Sequence, residues 1–278
     1  MSILTYNFES EYLKNNHEVT VILPDKPRAL TPEEFYRNGR KYKVLWLLHG
    51  TFGDHSDWVR KTNIEMYATE RNLVVVMPSA LNSSYANWDK FMMGFGMFDY
   101  LTEELMPLIY GWLPVSDKRE DNYIAGLSMG GRGTIKFAVN HPDKFAAAAV
   151  LSAAPVDFSL MSPGNPNMML DCANPRTLAS IENAGGLEAY QNSCENVWAI
   201  IDKLAPTGKL PRLMFACGTE DTLIYENLQT FRKHCEEIGL DCHWFIKEGY
   251  RHEWRFWDLA IQDALDFFGL TERGGNPY

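Results

Sequence analysis

The chain has 278 residues, of which 46% are hydrophobic and 22% are charged, and its formal net charge at pH 7 is −10. This composition supplies enough apolar side chains for one large domain and excludes a disordered, collagen-like or coiled-coil protein. The excess of acidic residues and the absence of a long basic run in the sequence argue against a nucleic-acid partner.

The cysteine pattern indicates a reducing compartment. The chain has five cysteines, an odd number that cannot all pair with one another. Its first residues lack the basic start and continuous apolar stretch of a signal peptide. No apolar run in the sequence reaches the roughly 18 residues that a membrane-spanning helix requires. We therefore expect a cytoplasmic protein without a membrane partner.

Short apolar runs alternate with longer helical patterns along the chain, which is typical of a mainly parallel sheet covered by helices on both faces. The predicted strands are Ile3–Phe8, Glu18–Leu23, Lys43–Leu48, Leu73–Met77, Asn122–Ala125, Ala146–Leu151, Arg212–Ala216 and His243–Ile246. The predicted helices are Ile64–Arg71, Met97–Tyr110, Gly130–Asn140, Leu187–Leu204, Leu223–Ile238 and Trp254–Phe268. The first two strands are too close together for a helix between them, so we expect an antiparallel edge there. The pattern predicts a single α/β domain over residues 1–278 with an eight-stranded, mostly parallel sheet.

The stretch from Val156 to about Gly186 breaks this alternation. It is rich in Pro, Asn, Ser and Met and shows no clear periodicity. About thirty residues without regular structure inside a compact domain are typical of a functional loop, although a surface insertion without function is the alternative. We therefore expect a small lid or cap insertion at about residues 156–205.

The segment Tyr123–Gly131 carries the pattern Gly-x-Ser-x-Gly between a predicted strand and a predicted helix. In such a segment the chain turns so sharply at the serine that small residues must flank it, and Gly126 and Gly130 supply them. The turn lifts the serine hydroxyl clear of the sheet, so Ser128 is a candidate nucleophile. The alternative is that Ser128 only caps the following helix.

A nucleophilic serine needs an imidazole to accept its proton and a carboxylate to orient that imidazole. Asp221 lies in the loop after a predicted strand, and His252 follows the next one. The order Ser, Asp, His is that of an α/β-hydrolase. Glu220 and Asp157 are rival candidates for the acid, since each also lies near the end of a predicted strand.

Acyl transfer also needs hydrogen-bond donors for the developing oxyanion. The backbone N–H of Met129, next to the serine, is one candidate. The second is expected in the glycine-containing loop after the third strand, where Thr51 is preferred and Phe52 is the rival. His49 in the same loop is expected to brace the loop.

Four potential metal ligands occur in the pairs His234-Cys235 and Cys242-His243. Neighbouring residues of a strand point to opposite faces, so these side chains are not expected to converge, and we predict no metal site.

Aromatic and sulfur-containing side chains are candidates for a substrate pocket, although most tryptophans belong to a core. The candidate pocket residues are Phe52, Trp58, Trp88 and Met161, with Trp198 considered beside them.

Taken together, four segments resemble the esterase D-like branch of the α/β-hydrolases, which contains tributyrin esterases, feruloyl esterases and S-formylglutathione hydrolases. These segments are Leu47–Asp54 with Trp58 and Thr62-Asn63, Gly126–Gly131, Cys217–Asp221, and His252–Trp254 with Trp257. The resemblance implies carboxylester hydrolysis without a cofactor. It implies Ser128 as nucleophile, His252 as base and Asp221 as its orienting acid, with the Thr51 and Met129 amides around the oxyanion.

The resemblance also bears on the substrate. At His49–Gly53 the chain departs from the S-formylglutathione hydrolases, so short-chain or hydroxycinnamoyl esters are the expected substrates and a thioester is the alternative. Because several family members are dimers or larger, a homo-oligomer is a further expectation. A noncatalytic ligand-binding member of the fold and a peptidase are the remaining alternatives. The intact set of Ser128, Asp221 and His252 argues against the first, and 278 residues with one modest insertion do not supply the larger substrate-gating domain that a peptidase usually has.

Overall fold

The computed structural model describes residues 2–275. Its main sheet has eight strands, which are, in their order across the sheet, β1 (Ser2–Ser10), β2 (Asn15–Leu23), β4 (Val74–Pro78), β3 (Val44–Leu48), β7 (Asn122–Leu127), β8 (Ala147–Leu151), β9 (Arg212–Gly218) and β10 (His243–Lys247). Each of the eight predicted strands overlaps one of them. The sheet is parallel from β4 to β10, and β2 pairs antiparallel with both β1 and β4.

Helices cover both faces of this sheet. They are α1 (Pro32–Tyr36), α2 (Asp57–Lys61), α3 (Ile64–Glu70), α4 (Met97–Asp99), α5 (Met106–Trp112), α6 (Met129–Asn140), α7 (Pro175–Asn183), α8 (Leu187–Gln191), α9 (Val197–Leu204), α10 (Tyr225–Ile238) and α11 (Trp254–Phe267). Within residues 2–275, none of them is long and apolar enough to cross a membrane.

The central strands are buried on both faces, which explains their continuous apolar sequences. In β3, Val44, Trp46 and Leu48 belong to one hydrophobic cluster, whereas Leu45 and Leu47 belong to the cluster on the opposite face. Successive side chains of a strand point to opposite faces, so an unbroken apolar run supplies both layers. The two clusters hold the carboxyl ends of the parallel strands in place.

Two predicted helices are interrupted in the structure. The predicted helix Met97–Tyr110 consists of α4, a π-helical stretch at Tyr100–Leu105 and α5. Pro107 at the start of α5 has no N–H, so the regular ladder of hydrogen bonds cannot run through it. The predicted helix Leu187–Leu204 is two helices, α8 and α9, and the Asn196 side chain caps α9 by accepting a hydrogen bond from the Ala199 N–H.

The stretch predicted to lack regular structure contains a 3₁₀ turn at Phe158–Leu160 and the helix α7. Asn174 caps α7 and Pro175 follows at its first position, a pairing that favours a helix start. Five residues give this region a small core of its own: Phe158, Met161, Leu170, Ile181 and Tyr190. A hairpin of two very short strands, β5 (Asn87–Trp88) and β6 (Phe95–Gly96), was not predicted because it is too short to show a periodicity.

Candidate active site

Ser128 lies at the sharp turn between β7 and α6, with φ of 53° and ψ of −116°. The turn packs tightly against the loop after β3. A Cβ atom at Gly130 would lie 2.5 Å from the carbonyl oxygens of Leu48 and His49, and one at Gly126 would lie 2.6 Å from the Gly130 carbonyl oxygen. Both positions therefore require glycine because backbone atoms occupy the space of a side chain. The strained serine and its glycines match the predicted turn.

A continuous chain of hydrogen bonds links the three predicted residues. His252 Nε2 lies 2.9 Å from Ser128 Oγ, and His252 Nδ1 lies 2.8 Å from Asp221 Oδ2. The Asp221 side chain is fully buried and also accepts a hydrogen bond from the Leu223 N–H at 3.2 Å. This arrangement can move a proton between a serine hydroxyl and an imidazole that a carboxylate orients.

The two rival acids have other partners. Glu220 forms an ion pair with Arg251 at 3.2 Å. Asp157 accepts a hydrogen bond from the Ser159 N–H at 2.9 Å and caps the 3₁₀ turn that follows it. Of the three candidate acids, the structure brings only Asp221 into contact with His252.

The sequence reasoning did not single out the aromatic support of His252. Its ring packs edge-on against Trp257 with 5.1 Å between ring centroids, and Trp257 Nε1 donates a hydrogen bond to Ser152 Oγ at 3.0 Å. This ring contact, together with the hydrogen bond to Asp221, fixes the orientation of the imidazole. Trp257 lies in the first turn of α11. Helical periodicity alone assigns this position to the core, so it does not predict the contact with His252.

Two backbone N–H groups next to Ser128 are available to a ligand. Met129 is the first residue of α6, so its N–H has no acceptor within the helix. The Thr51 N–H donates to no protein group in residues 2–275, whereas the Phe52 N–H donates to Asn82 Oδ1 at 2.8 Å. This difference favours Thr51 over Phe52 as the second donor.

His49 braces the loop that carries Thr51. Its Nδ1 donates to the Gly50 carbonyl oxygen at 2.7 Å, and its Nε2 accepts a hydrogen bond from the Ala80 N–H at 2.8 Å. Burial lowers the pKa of His49, and the hydrogen bond to Gly50 acts in the opposite direction. A neutral ring that is bonded at both nitrogens holds the loop and is not free to exchange protons with a substrate.

A cavity of about 1110 Å³ opens over Ser128 and His252. Residues of the 156–205 region form part of its wall, including Met168 and Met169. Of the predicted pocket residues, Phe52 and Trp88 line this cavity.

The other predicted pocket residues do not reach the cavity, which corrects the expectation for them. Trp58 is only 1% exposed and donates a hydrogen bond to the Leu48 carbonyl oxygen, so it belongs to the core beneath the loop. Met161 is buried in the small core of the 156–205 region. Trp198 stacks on His234 with 4.2 Å between ring centroids. Their chemical type suited a pocket, but their positions in the fold place them elsewhere.

Sequence reasoning also missed the charged residues of the cavity. Two arginines line it, Arg132 on α6 and Arg176 on α7. Glu195 also lines the cavity and pairs at 2.6 Å with Lys136 of α6, whose side chain is 2% exposed. The only signal for these residues was the position of Arg132, four residues after Ser128.

The histidines of the two pairs that could supply metal ligands each contact a different aspartate. His234 Nε2 contacts Asp202 at 2.5 Å, and His243 Nε2 contacts Asp263 at 2.7 Å. Across the described part of the chain, no three His, Cys, Asp or Glu side chains converge as a metal site would require.

Comparison with known proteins identifies the family. The profile of the Esterase family matches residues 10–267. The chain belongs to the Esterase family. An acetyl esterase of Caldicellulosiruptor saccharolyticus is 30% identical over 271 residues, which cover 96% of this chain and 98% of that protein.

Two solved structures from Staphylococcus aureus are similar to this esterase. The fluorophosphonate-binding serine hydrolase F is 30% identical with a TM-score of 0.77, and an S-formylglutathione hydrolase is 30% identical with a TM-score of 0.75. Each alignment covers 96% of this chain and 98% of the other. These relatives confirm the predicted α/β-hydrolase fold and the resemblance to the esterase D-like branch. The protein is a carboxylic ester hydrolase of the serine esterase type.

Proposed function

We propose that this esterase hydrolyses short-chain or hydroxycinnamoyl esters through an acyl-enzyme intermediate on Ser128. The observation that carries the proposal is the hydrogen-bonded chain from Ser128 Oγ through His252 to the buried Asp221, with distances of 2.9 and 2.8 Å. The acetyl esterase relative supports a short acyl group. The cavity of about 1110 Å³ is large enough for a bulkier aromatic acyl group.

In the first half of the reaction, Ser128 Oγ attacks the ester carbonyl carbon as His252 Nε2 takes the hydroxyl proton. The oxyanion of the tetrahedral intermediate accepts hydrogen bonds from the Met129 and Thr51 N–H groups. The ester C–O bond then breaks, and His252 gives its proton to the departing alcohol. Asp221 stabilises the transient imidazolium throughout.

Water completes the cycle. His252 removes a proton from a water molecule, the resulting hydroxide attacks the acyl carbon, and the bond to Ser128 Oγ breaks as the serine regains its proton. The products are the carboxylic acid and the alcohol, and no step uses a cofactor or metal.

The region of residues 156–205 acts in this proposal as a lid over the substrate. Its residues Met168, Met169 and Tyr190 line the cavity. The part of this region up to Tyr190 has a small core of its own, whereas Val197 and Ile201 of α9 belong to a main cluster of the sheet and anchor the region there. The adaptable methionine side chains suit a variable apolar group.

A second candidate function is thioester hydrolysis. The S-formylglutathione hydrolase of Staphylococcus aureus, at 30% identity, is the observation that favours it. The same chain of hydrogen bonds would attack a thioester carbonyl, so the two candidates differ in the leaving group and not in the proposed roles of Ser128 and His252.

Initial rates on a panel of esters test the proposal. The panel contains acetyl, butyryl, octanoyl and feruloyl esters and S-formylglutathione, each assayed with wild type and Ser128→Ala. We expect turnover of one ester class by the wild type and a loss of several orders of magnitude in the variant. Fastest turnover of S-formylglutathione would select the second candidate. Equal rates for the two proteins would overturn the role of Ser128 and favour a binding protein.

We also propose a cytoplasmic location and a homo-oligomeric state. The odd number of cysteines supports a cytoplasmic location, and the family resemblance supports a homo-oligomer. Fractionation of cells and sedimentation of the purified protein test these two expectations separately.

A further inference from the structure

Two arginines from different parts of the fold face the cavity over Ser128. Arg132 is half-buried on α6, one helical turn after Ser128, and its backbone N–H donates to the Ser128 carbonyl oxygen at 3.0 Å. Arg176 is the second residue of α7, in the proposed lid. The cavity that both residues line also contains Ser128 and His252. A molecule in this cavity therefore meets one guanidinium group from the core and one from the lid.

Within residues 2–275, neither of these arginines forms an ion pair with a carboxylate, whereas Lys61, which also lines the cavity, pairs with Asp57 at 2.8 Å. The Glu195 carboxylate of the cavity wall pairs at 2.6 Å with Lys136, which does not line the cavity. Two exposed carboxylates at the edge of the cavity, Asp89 and Glu226, pair with neither arginine. The two guanidinium groups are thus the positive charges that remain available to a ligand.

The protein contacts of both arginines are with hydroxyl groups. Arg176 Nη2 lies 3.2 Å from Thr51 Oγ1, on the residue whose N–H is the proposed oxyanion donor. The Arg132 guanidinium lies near the Tyr190 hydroxyl. Burial raises the pKa of Tyr190 to about 12, so this partner carries no charge at neutral pH. These contacts orient the arginines without neutralising them.

The two positive charges also repel each other. Partial burial lowers the pKa of Arg176, and the nearby charge of Arg132 lowers it further. An anion between the two guanidinium groups removes this repulsion and accepts charge-assisted hydrogen bonds from both. The planar fork of an arginine matches the two oxygens of a carboxylate better than the point charge of a lysine does.

We propose that Arg132 and Arg176 bind a carboxylate carried by the ester substrate, so that the preferred substrate is an anionic ester. This inference rests on the proposed function and adds a substrate class to it. A bound carboxylate therefore bridges the core helix α6 and the lid helix α7.

Two matched pairs of esters test the proposal. In one pair, 4-acetoxybenzoate and its methyl ester, the carboxylate lies on the alcohol side of the scissile bond. In the other, the 4-nitrophenyl monoester of glutarate and its methyl ester, it lies on the acyl side. The readout is the ratio of kcat/KM for the charged ester to that for its neutral partner. Comparing this ratio between enzyme variants cancels the intrinsic reactivity of each ester.

We expect Arg132→Gln and Arg176→Gln each to lower this ratio by roughly 10- to 100-fold for at least one pair, the range for loss of a hydrogen bond to a charged group. Arg176→Lys should give a smaller loss because it keeps the charge without the fork. Arg60→Gln is the matched control. It removes an exposed arginine of α2 that does not line the cavity, so the ratio should stay at the wild-type value.

A second measurement does not depend on the folding of a variant. Free benzoate should inhibit wild-type hydrolysis of a neutral ester at a concentration at least roughly 10-fold lower than benzamide. Equal inhibition by the two compounds, or unchanged ratios in both glutamine variants for both pairs, would overturn the anionic substrate. If Ser128→Ala is inactive in that case, the proposed function still stands. If Ser128→Ala hydrolyses the esters as well as the wild type does, the proposed function fails instead.

Discussion

Replacing Asp221 with asparagine is expected to abolish most of the activity while preserving the shape of the site. The buried Asp221 carboxylate accepts hydrogen bonds from two donors, His252 Nδ1 and the Leu223 N–H. An asparagine has one acceptor oxygen and one NH₂ group, so it cannot accept from both donors.

The energetics decide which way the asparagine turns. If its oxygen faces His252, the Leu223 N–H meets an NH₂ group and loses its partner, at a cost of about 1–3 kcal/mol. If its NH₂ group faces His252, the asparagine oxygen still accepts from the Leu223 N–H, and the imidazole only has to carry its proton on Nε2. This orientation is therefore lower in free energy. His252 Nε2 then cannot accept the proton of Ser128. We expect kcat to fall by roughly 10⁴-fold, which corresponds to about 5.4 kcal/mol of lost transition-state stabilisation.

Steady-state kinetics on the best ester of the panel measures this loss, with thermal melting as the check on folding. Glu220→Gln is the matched control, because Glu220 adjoins Asp221 but pairs with Arg251. Its kcat should stay within roughly threefold of the wild type. If Asp221→Asn retains a tenth or more of the wild-type kcat, the assignment of Asp221 as the orienting acid is refuted.

The remaining predictions concern stability and are measured by denaturation. Lys136→Met leaves the largely buried Glu195 carboxylate unpaired, and we expect a loss of about 3 kcal/mol, whereas an unchanged midpoint would contradict a stabilising pair. Gly130→Ala places a Cβ 2.5 Å from two backbone carbonyl oxygens and should cost about 1–3 kcal/mol, while Gly111→Ala, with open space around it, should not destabilise the protein. Burial lowers the pKa of His17 from 6.5 to about 4. Between pH 6.5 and pH 4, the unfolded chain therefore binds a proton at His17 that the folded chain does not bind. The free energy of unfolding should therefore fall by up to about 3 kcal/mol from pH 6.5 to pH 4, and His17→Gln should flatten this dependence.

Much of the fold and the proposed reaction centre could be predicted because the relevant signals are local. The central strands of the main sheet are short apolar runs, and Ser128, Asp221 and His252 each follow a predicted strand. The carboxyl ends of parallel strands meet at one edge of the sheet, so residues far apart in sequence become neighbours there. The glycines at positions 126 and 130 mark the turn for the same local reason.

The walls of the cavity could not be predicted because they depend on tertiary packing. Trp58 and Trp88 are chemically alike, yet one lies beneath a loop and the other lines the cavity. The side of α2 that faces the core is fixed by the strands beneath it and not by the identity of Trp58. Arg176 lies on α7 within a stretch that lacks a periodicity, so only the folded lid shows that it approaches Arg132.

Covalent labelling at Ser128 tests the central claim most directly. A fluorophosphonate reacts with a serine only when a base activates its hydroxyl, so it reports on nucleophilicity without a choice of substrate. The account predicts one phosphonate adduct in the intact mass of the wild type, located at Ser128 by peptide mapping and missing from Ser128→Ala. An unlabelled wild type, or an adduct at another serine that persists in Ser128→Ala, would contradict the assignment of Ser128 as the nucleophile.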